Sequence, residues 1–512
     1  MTTDQISQFE KKVIIRSIVR TDFDKIIELQ NICFPNMQPW NIKQLESHLR
    51  LFPEGQICVE LDGDIIGSCS SLIVNFDDYL EQHTYQEITD KGYIRNHNPR
   101  GENLYGMEVM VHPSFRRMKI GRRLYEARKR LAETLNLKSI IVGGRIPGYH
   151  NFSDKMAPRE YAEEVLQQNI YDPVLTFQMM NGFTLKRIIT NYLSDDEDSM
   201  NYAALLEWNN IEYKPNINKT HYKMSFPVRF CVIQYMMKKI DSFEEFATQC
   251  EHYVDVASDY KSDFAVFPEN FTMQLLSFLE ERSPSLAIRK LSTFTENYVA
   301  LFSELAVNYN VNIVGGSHFV EQNNRIYNVA HLFRRDGTIE QQYKLHISPN
   351  ERKWWGINGG SKLEVFDTDC GKISIQLSSD IEYPEISRIV AEEGAQIIFV
   401  PFCAEDRQTF LRVKYCAQAR AVENQVVVVT AGTVGNLTHV DNVDIQYAQS
   451  GVYTPADFSF PRDGIAGECS ENTEAVIMAE VDMENLQRYR KSKDVLTFRD
   501  RRTDIYSLQI RS

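Results

Sequence analysis

Runs of apolar residues with strand and helix spacing predict a mixed set of elements near the start of the chain. Residues 13–21 predict a β-strand, and residues 22–34 predict a helix that Asp22 opens. Residues 56–74 predict a hairpin, because a turn sequence at 62–64 separates two apolar runs. Strands and helices therefore occur together in the first part of the chain.

A second set of elements begins after residue 227. Residues 228–235 predict a strand, and the next helix begins at Ser242, which forms an S-x-x-E capping box with Glu245. Strand and helix then alternate to about Val429. This alternation is typical of an α/β sandwich.

A polar stretch separates the two sets. Residues 209–227 lack aliphatic periodicity and contain two prolines, as a linker between two cores does. A chain of 512 residues also exceeds what one hydrophobic core usually organises. We therefore predict an N-terminal tail at 1–12, a first domain at 13–208, a linker at 209–227 and a second domain at 228–512, both of α/β class.

Composition and charge narrow the classes of function. The chain has 43% hydrophobic and 25% charged residues, and no apolar run is long enough to cross a bilayer. Its polar N-terminus lacks the basic and apolar blocks of a signal peptide, so we expect a cytoplasmic protein without a membrane span. A net charge of -14 would repel a phosphate backbone, which disfavours nucleic acid as a partner. Nine cysteines without a CxxC pair predict neither a disulfide framework nor a metal site.

One segment of the first domain has the pattern of an anion-binding turn. A strand ends near His112, a basic turn follows, and a helix then presents one apolar face. Unpaired N–H groups at a helix N-terminus favour an anion, so the turn at 116–121 predicts a pyrophosphate seat. The same turn read by itself is also compatible with a solvated helix start that binds nothing. The positive charges around it come from Arg116, Arg117, Lys119, Arg122 and Arg123.

The wider segment resembles the acyl-CoA-binding motif of the GNAT acyltransferases, Q/R-x-x-G-x-G/A. Arg116 stands at the first motif position and Gly121 at the last, and residues 177–183, FQMMNGF, are similar to a later segment of that family. The resemblance spans about 13–208 and implies a mixed sheet with helices that binds acetyl-CoA as acyl donor for an amine. The residues expected to bind it are Arg116, Arg117, Lys119, Ile120, Gly121 and Arg122.

Lys119 departs from the family pattern, which has its first glycine at this position. Glycine lets the backbone approach a pyrophosphate closely. Lysine could instead bind a phosphate through its ammonium group or block the seat. Glu108 and Tyr192 stand loosely where the family has its general base and its thiol-side acid, although a solvent-facing glutamate and a packed tyrosine are alternative interpretations. The turn formers around Arg145 are expected to shape the acceptor end of the cleft.

Three segments of the second domain carry a second resemblance. Each segment combines a strand with a charged or nucleophilic residue: residues 263–269 deliver Glu269, residues 343–351 deliver Lys344 and Glu351, and residues 373–385 run through Ser378 into a helix near Pro384. These segments resemble the Glu, Lys and Cys motifs of the nitrilase superfamily, over about 228–510. The resemblance implies an α-β-β-α sandwich that hydrolyses amides and forms a homodimer or larger assembly.

Carried over by position, the resemblance makes Glu269 the general base, Lys344 the oxyanion donor and Glu351 a second, orienting carboxylate. Ser378 occupies the position of the nucleophilic cysteine. A thiol has a pKa of about 8.5, within reach of a carboxylate base, whereas a serine hydroxyl is a much weaker acid and usually relies on histidine. Ser378 is therefore compatible with a substrate-trapping replacement, a natural protein that binds without turnover, or an enzyme with another nucleophile; Cys403 is interpreted as part of the wall.

The leading hypothesis is a carbon-nitrogen hydrolase fused to an N-acyltransferase, with small amides and amines as substrates. The alternative is a catalytically silent sensor or scaffold that binds CoA and amide ligands, for which Lys119 and Ser378 are the best indications.

Overall fold

The fold is described from a computed structural model. It covers residues 3–508 except 36, 80–82, 195, 216–226, 280, 282, 439, 441–442, 444, 458 and 492–500. The chain forms two compact units. We call Lys12–Met224 the smaller unit, and Met1–Lys11 together with Ser225–Ser512 the larger unit. Most of the predicted linker, residues 216–226, lies outside the described residues.

The smaller unit is built on one mixed sheet in the order β1-β2-β3-β4-β5-β7-β6. Its strands are β1 (Val13–Ser17), β2 (Gln56–Leu61), β3 (Asp64–Val74), β4 (Asn103–Val111), β5 (Ser139–Arg145), β6 (Thr184–Ile189) and β7 (Ala203–Asn209). Its helices are α2 (Phe23–Cys33), α3 (Ile42–Leu51), α4 (Tyr85–Ile88), α5 (Ile120–Thr134), α6 (Pro158–Leu166) and α7 (Leu175–Met180), while α1 belongs to the larger unit. This architecture confirms the predicted mixed sheet with helices.

Strands β4 and β5 run parallel but pair over only part of their length. Pairing extends from Asn103 with Ser139 to Gly106 with Val142, and both strands continue further without pairing to each other among the described residues. The neighbouring β3–β4 pair has a bulge, because Ser70 faces Glu108 whereas Ser71 faces Gly106. Because the pairing with β5 ends early and the pairing with β3 has a bulge, the backbone of β4 next to Glu108 lies outside the regular hydrogen-bond pattern of the sheet.

The larger unit contains the remaining elements. Its strands are β8 (Pro227–Met237), β9 (Phe264–Phe267), β10 (Asn312–Gly315), β11 (His318–Gln322), β12 (Arg325–Phe333), β13 (Ile339–Tyr343), β14 (Ile357–Asn358), β15 (Phe366–Thr368), β16 (Gly371–Ile375), β17 (Ile397–Phe402), β18 (Val427–Gly435), β19 (Gly451–Tyr453), β20 (Ile465–Glu468) and β21 (Ala475–Asp482). Its helices are α1 (Thr3–Ile6), α8 (Phe243–Asp259), α9 (Pro284–Leu291), α10 (Thr295–Tyr309), α11 (Pro384–Glu392), α12 (Arg407–Asn424) and α13 (Met483–Lys491).

The layers of this unit follow from its hydrophobic cores. One core joins β8, β9 and β10 to α8 and α10, and another joins β17 and β18 to α11 and α12. Between them, a third core packs residues such as Phe230 and Phe264 against Phe399 and Val427. The side chains of each strand alternate between the two faces of the sheet. The strands β8, β9 and β10 therefore have one face covered by helices and one covered by strands, and the same holds for β17 and β18. The result is the predicted α-β-β-α sandwich.

Residues 6–10, within the segment predicted as an N-terminal tail, pack on the larger unit. Ile6 is only 4% exposed and lies in the core beneath α8 and α10. The Ser303 hydroxyl donates to the carbonyl of Phe9, and the backbone N–H of Ile339 donates to the Glu10 carboxylate. The sequence missed this contact because a four-residue helix has too short a pattern to reveal its partner.

Two local features concern segments that the sequence singled out. Strand β13 ends at Tyr343, and just beyond it the Asp380 carboxylate accepts the N–H groups of Leu345 and His346. In α5 the buried residues include Arg123 and Arg128 as well as the apolar Ile120 and Leu124, which removes Arg123 from the basic rim of the turn. Within the described ranges, no helix is long and apolar enough to cross a membrane.

The packing of Ile6 generates a stability prediction. Ile6→Ala should lower the free energy of unfolding of the larger unit by about 2–5 kcal/mol, because it removes buried methyl groups and leaves a cavity. Urea unfolding would measure the loss. The matched control is Ile445→Ala in the same unit, since Ile445 is 62% exposed. Equal midpoints for Ile6→Ala and the unchanged chain would mean that the N-terminal segment adds nothing to this core.

Candidate functional sites

Parallel strands bring the predicted catalytic residues of the larger unit to one edge. Strands β10, β9, β8, β18, β17 and β16 are parallel neighbours in that order. Glu269 follows β9, Ser378 follows β16 and Cys403 follows β17. Since carboxyl ends of parallel strands share one edge of a sheet, these three side chains start from the same side.

Lys344 lies between two carboxylates at this edge. Its ammonium group donates to Glu269 Oε1 at 2.8 Å and to Glu351 Oε1 at 2.6 Å. Lys344 is 4% exposed and Glu269 is 1% exposed. Three of the four predicted residues therefore form one buried ion cluster.

The two carboxyl groups of the cluster differ in acidity. Burial raises the pKa of Glu269 to about 7, against the charge of Lys344 and with a further increase from the charge of Glu351. Burial opposes ionisation of Glu351 too, but Lys344 and the backbone N–H and side chain of Ser348 hold its pKa below the ordinary value. Burial alone would lower the pKa of Lys344, but the two carboxylates have the larger effect and raise it. The arrangement keeps Lys344 charged, Glu351 ionised and Glu269 able to exchange a proton near neutrality.

Strand β12 and the segment after β10 fix Glu269 in place. The Asn328 amide donates to Glu269 Oε1 at 3.0 Å and to Asn270 Oδ1 at 3.1 Å. Gly316, with φ +60°, passes so close to the carbonyl of Pro268 that a Cβ would lie 2.0 Å from that oxygen. A side chain at residue 316 would therefore displace the segment that delivers Glu269.

Ser378 occupies a strained elbow. Its φ is +45°, in the left-handed region that a non-glycine residue rarely adopts. The turn Ser378–Glu382 and then α11 follow directly, and Ser378 itself is buried. Among the described residues, its hydroxyl has no hydrogen-bond partner. An observed backbone outlier of this kind is typical of a functional position.

Two further residues belong to this region: Asp380, which the sequence did not indicate, and Cys403, which was interpreted as part of the wall. The Asp380 carboxylate accepts from His346 Nδ1 at 2.7 Å as well as from two backbone groups, so it ties the elbow to the lysine segment. The thiol of Cys403 donates to Gln446 Oε1 at 2.7 Å. Burial and the charge of Glu269 raise the pKa of Cys403 to about 12, so this thiol stays protonated at neutral pH.

In the smaller unit, the predicted anion-binding turn lies between β4 and α5. A 3₁₀ turn, Pro113–Met118, leads to Lys119, whose φ of +52° is the left-handed conformation that glycine adopts most easily. Ile120 is buried, and a Cβ on Gly121 would lie 2.8 Å from the Phe177 ring. These two residues therefore pack α5 in place, while Lys119 has a backbone conformation that glycine adopts easily.

The cations of the turn fall into separate groups. Arg116 and Arg117 are exposed and Lys119 is half-buried. Arg122 is paired with Glu126 at 3.0 Å, and Arg123 is buried. Positive charge accessible to an anion is thus concentrated just before the helix start.

Glu108 lies on the bulged part of β4. Its carboxylate accepts from the Ser70 hydroxyl at 3.1 Å and from the Trp40 indole N–H at 3.3 Å. Burial raises the pKa of Glu108 to about 7, although these hydrogen bonds and the charge of Arg128 lower it. A carboxyl group with this pKa suits a general base at neutral pH.

Tyr192 and Arg145 have partners that bear on their expected roles. The Tyr192 hydroxyl lies 2.7 Å from the Tyr105 hydroxyl, and burial raises the pKa of Tyr192. Arg145 forms an ion pair with Asp196 and a longer one with Asp198 at 3.4 Å. Arg145 therefore fixes the loop after β6, and the side chain is held by protein carboxylates.

Metal-ligating residues do not cluster in the described part of the chain. No group of three or more His, Cys, Asp or Glu side chains is arranged there to hold a metal ion. All nine cysteines are free thiols.

Comparison with known families agrees with both sets of geometry. The family described as carbon-nitrogen hydrolase matches residues 230–491, and the acetyltransferase (GNAT) family matches residues 23–147. The first match contains Glu269, Lys344, Glu351 and Ser378. The second contains Glu108 and the basic turn.

Individual relatives show the same division. The chain is 64% identical over 504 residues to "Probable hydrolase YhcX" of Bacillus subtilis, with 98% of each chain covered. It is 39% identical over 204 residues to "Uncharacterized N-acetyltransferase YkwB" of Bacillus subtilis, which covers 39% of this chain and 90% of that protein. It is 29% identical over 219 residues to "Omega-amidase NIT3" of Saccharomyces cerevisiae, which covers 41% of this chain and 71% of that protein.

The geometry of the two sites and these matches lead to one assignment. The chain belongs to the carbon-nitrogen hydrolase family of the nitrilase superfamily and carries a GNAT acetyltransferase domain on its N-terminal side.

Proposed function

We propose that the larger unit binds and hydrolyses small amides and that the smaller unit transfers an acetyl group from acetyl-CoA to an amine. The observation that carries the first activity is the buried Lys344, held between Glu269 and Glu351 at the strand edge that also bears Ser378. The relatives named omega-amidase support amides as the substrate class.

In the proposed hydrolysis, Ser378 Oγ attacks the amide carbonyl carbon while Glu269 takes the hydroxyl proton. Lys344 stabilises the oxyanion that forms. The C–N bond then breaks as Glu269 returns the proton to the leaving nitrogen, which leaves as ammonia or an amine. Water attacks the resulting ester, Glu269 takes its proton and returns it to Ser378, and the carboxylic acid leaves.

The serine makes this reaction slow. Glu269, with a pKa of about 7, is a suitable base for a thiol but a poor one for a hydroxyl group. No histidine is hydrogen-bonded to Ser378 among the described residues, so the usual activation of serine is missing. Binding and charge stabilisation therefore remain while the attack is impaired.

In the proposed acetyl transfer, Glu108 accepts a proton from the acceptor amine, whose nitrogen then attacks the thioester carbonyl carbon. The C–S bond breaks, the thiolate takes a proton from Tyr192, and the Tyr192 phenolate takes the second proton of the amine nitrogen as the neutral amide forms. The left-handed backbone at Lys119 and the exposed Arg116 and Arg117 suit the pyrophosphate of the acyl donor. The parting of β4 from β5 beyond Gly106 suits its extended arm.

A silent sensor or scaffold is the second candidate function. Ser378 favours it in the larger unit because the nucleophile is weak, and Lys119 favours it in the smaller unit because a side chain replaces the family glycine. The cytoplasmic location and a homodimer or larger assembly stay predictions.

The first test replaces the nucleophile. Ser378→Cys should increase ammonia release from a panel of small primary amides by about 10²-fold or more, because Glu269 can then act as general base on a thiol. Ser378→Ala is the control and should release none above background. If neither the unchanged chain nor Ser378→Cys hydrolyses any amide, the larger unit is a binding module. Turnover that survives in Ser378→Ala would assign the attack to another group, and Cys403→Ser would then be measured.

The second test concerns the ion cluster. Lys344→Met and Glu269→Gln should each abolish binding of the amides that bind the unchanged chain in calorimetry. Lys344→Met should also lower the free energy of unfolding by about 3–5 kcal/mol, because it leaves buried carboxylates without a counter-ion. The matched control is Lys362→Met, since Lys362 is exposed in the same unit. Unchanged affinity in the two site variants would contradict the assignment.

The third test titrates the chain with acetyl-CoA. Saturable binding below millimolar concentration is expected, and Arg116→Ala should weaken it by about tenfold through loss of one charged phosphate contact. Lys119→Gly separates the two roles considered for this lysine, because affinity falls if the ammonium binds phosphate and rises if the side chain blocks the seat. Absence of saturable binding at millimolar ligand would contradict the cofactor assignment.

A further inference from the structure

Arg128 of the smaller unit is a buried cation without a counter-ion. Its side chain extends from α5 towards the sheet, and the residue is about 1% exposed. In the described part of the chain, no carboxylate lies within 4.0 Å of its guanidinium group. Burial of an unpaired charge is expensive, so the position calls for a specific explanation.

The guanidinium group binds both strands at the β3–β4 bulge. Nε donates to the Ser71 hydroxyl at 3.0 Å, and Nη2 donates to the carbonyls of Ser70 at 3.1 Å and Glu108 at 2.6 Å. The bulge leaves Met107 as the extra residue between Gly106 and Glu108. Bulges next to active sites re-aim side chains and leave ladder groups unpaired. Arg128 satisfies two of the carbonyls at this irregularity.

Neighbouring residues leave room for this side chain. A Cβ on Gly106 would lie 2.7 Å from Arg128 Nη1, so glycine at this position admits the guanidinium group. The Tyr125 ring lies 5.5 Å from the guanidinium carbon, which gives the charge an aromatic face. Gly106 is also the last residue of β4 that pairs with β5. The guanidinium therefore stands where the two strands part.

Ser70 links the guanidinium group to the carboxylate of Glu108. Its carbonyl accepts from Arg128, while its hydroxyl donates to Glu108 Oε1. Arg128 thus holds the backbone of Ser70 and Glu108, and Ser70 and Trp40 hold the carboxylate. Two layers of hydrogen bonds fix the predicted general base.

We propose that Arg128 is a positioning residue for acetyl transfer, which spans the β3–β4 bulge and fixes the backbone from which Glu108 meets the acceptor amine. This inference rests on the proposed acetyl transfer. The charge of Arg128 has a second effect, because it favours the ionised form of Glu108 against burial. The other titratable side chains whose charges interact with Glu108 are Tyr85 on α4, Cys69 on β3 and Cys33 on α2.

The experiment compares variants of the full chain by two measurements. Carbon-13 NMR of labelled glutamate carboxyl groups, assigned with Glu108→Gln, gives the pKa of Glu108 without any need for turnover. The pH dependence of kcat/KM for acetyl transfer to a panel of small amines gives the activity. Thermal unfolding and binding of acetyl-CoA show that each variant is folded.

Arg128→Met should raise the pKa of Glu108 and move the acid limb of kcat/KM upward by about one pH unit, because a nearby positive charge is lost. It should also lower kcat/KM by about tenfold or more through misplacement of the base. Arg128→Lys should keep the acid limb of kcat/KM near its original pH, because it restores the positive charge. Its kcat/KM should still be lower than that of the unchanged chain, because lysine lacks the several hydrogen bonds of the guanidinium group. Ser71→Ala, which removes one bond and keeps the cation, should lower the rate a few-fold and leave the limb in place.

Arg130→Met is the matched control, because Arg130 is exposed on the same helix and should change neither quantity. The proposal is overturned if Arg128→Met folds and leaves both the Glu108 titration and the acid limb unchanged. It is also overturned if Arg128→Met and Arg128→Lys only lower the rate equally at all pH values. If the unchanged chain acetylates no amine, the proposed function fails, while the NMR titration still decides whether Arg128 controls the ionisation of Glu108.

Discussion

The burial of one ammonium group between two carboxylates sets the requirements for the larger unit. Removing charges from water costs several kcal/mol for each ion, so Lys344 is tolerated only where both partners approach it closely. Glu351 comes from the same segment as Lys344, but Glu269 lies 75 residues away, and the strand order must bring it to the same edge. The Asn328 amide and the close passage at Gly316 complete the enclosure. The site is thus rigid before any substrate arrives, as catalysis by fixed charges requires.

Ser378 changes the chemistry of this site but leaves its construction unchanged. The elbow keeps its left-handed backbone, and Asp380 still joins the elbow to the segment of Lys344. A serine hydroxyl differs from a thiol mainly in acidity, so the replacement affects proton transfer more than packing. Under the proposed function, substrate binding and bond cleavage are consequently separable properties.

The smaller unit also contains a buried charged group, but it compensates the cost of burial in another way. Arg128 is buried without a carboxylate, and hydrogen bonds to backbone carbonyls and a serine hydroxyl replace the ion pair. This solution depends on a bulge, because a regular ladder would have used the carbonyls that Arg128 binds. Burial raises the pKa of the Glu108 carboxyl group beside the bulge to about 7, which suits the general base proposed for acetyl transfer.

The sequence by itself determined the element types, the two α/β folds and the residues expected at each site. Helix caps, turn residues and apolar spacing act over a few residues, so features such as the Ser242 cap and the start of α11 at Pro384 could be predicted. The residues Glu269, Lys344 and Ser378 could be named because the segments that carry them resemble the Glu, Lys and Cys motifs of the nitrilase superfamily.

Only the tertiary structure decided which of these residues meet and how they ionise. The Lys344 cluster, the packing of Ile6 on the larger unit and the burial of Arg123 and Arg128 join residues that are distant in sequence. The sequence pattern placed Arg123 in the basic turn, whereas the folded chain buries it, and the bulge and Gly106 create an internal position for Arg128. Burial and charge proximity are properties of the folded arrangement, and for that reason local spacing along the chain could not reveal them.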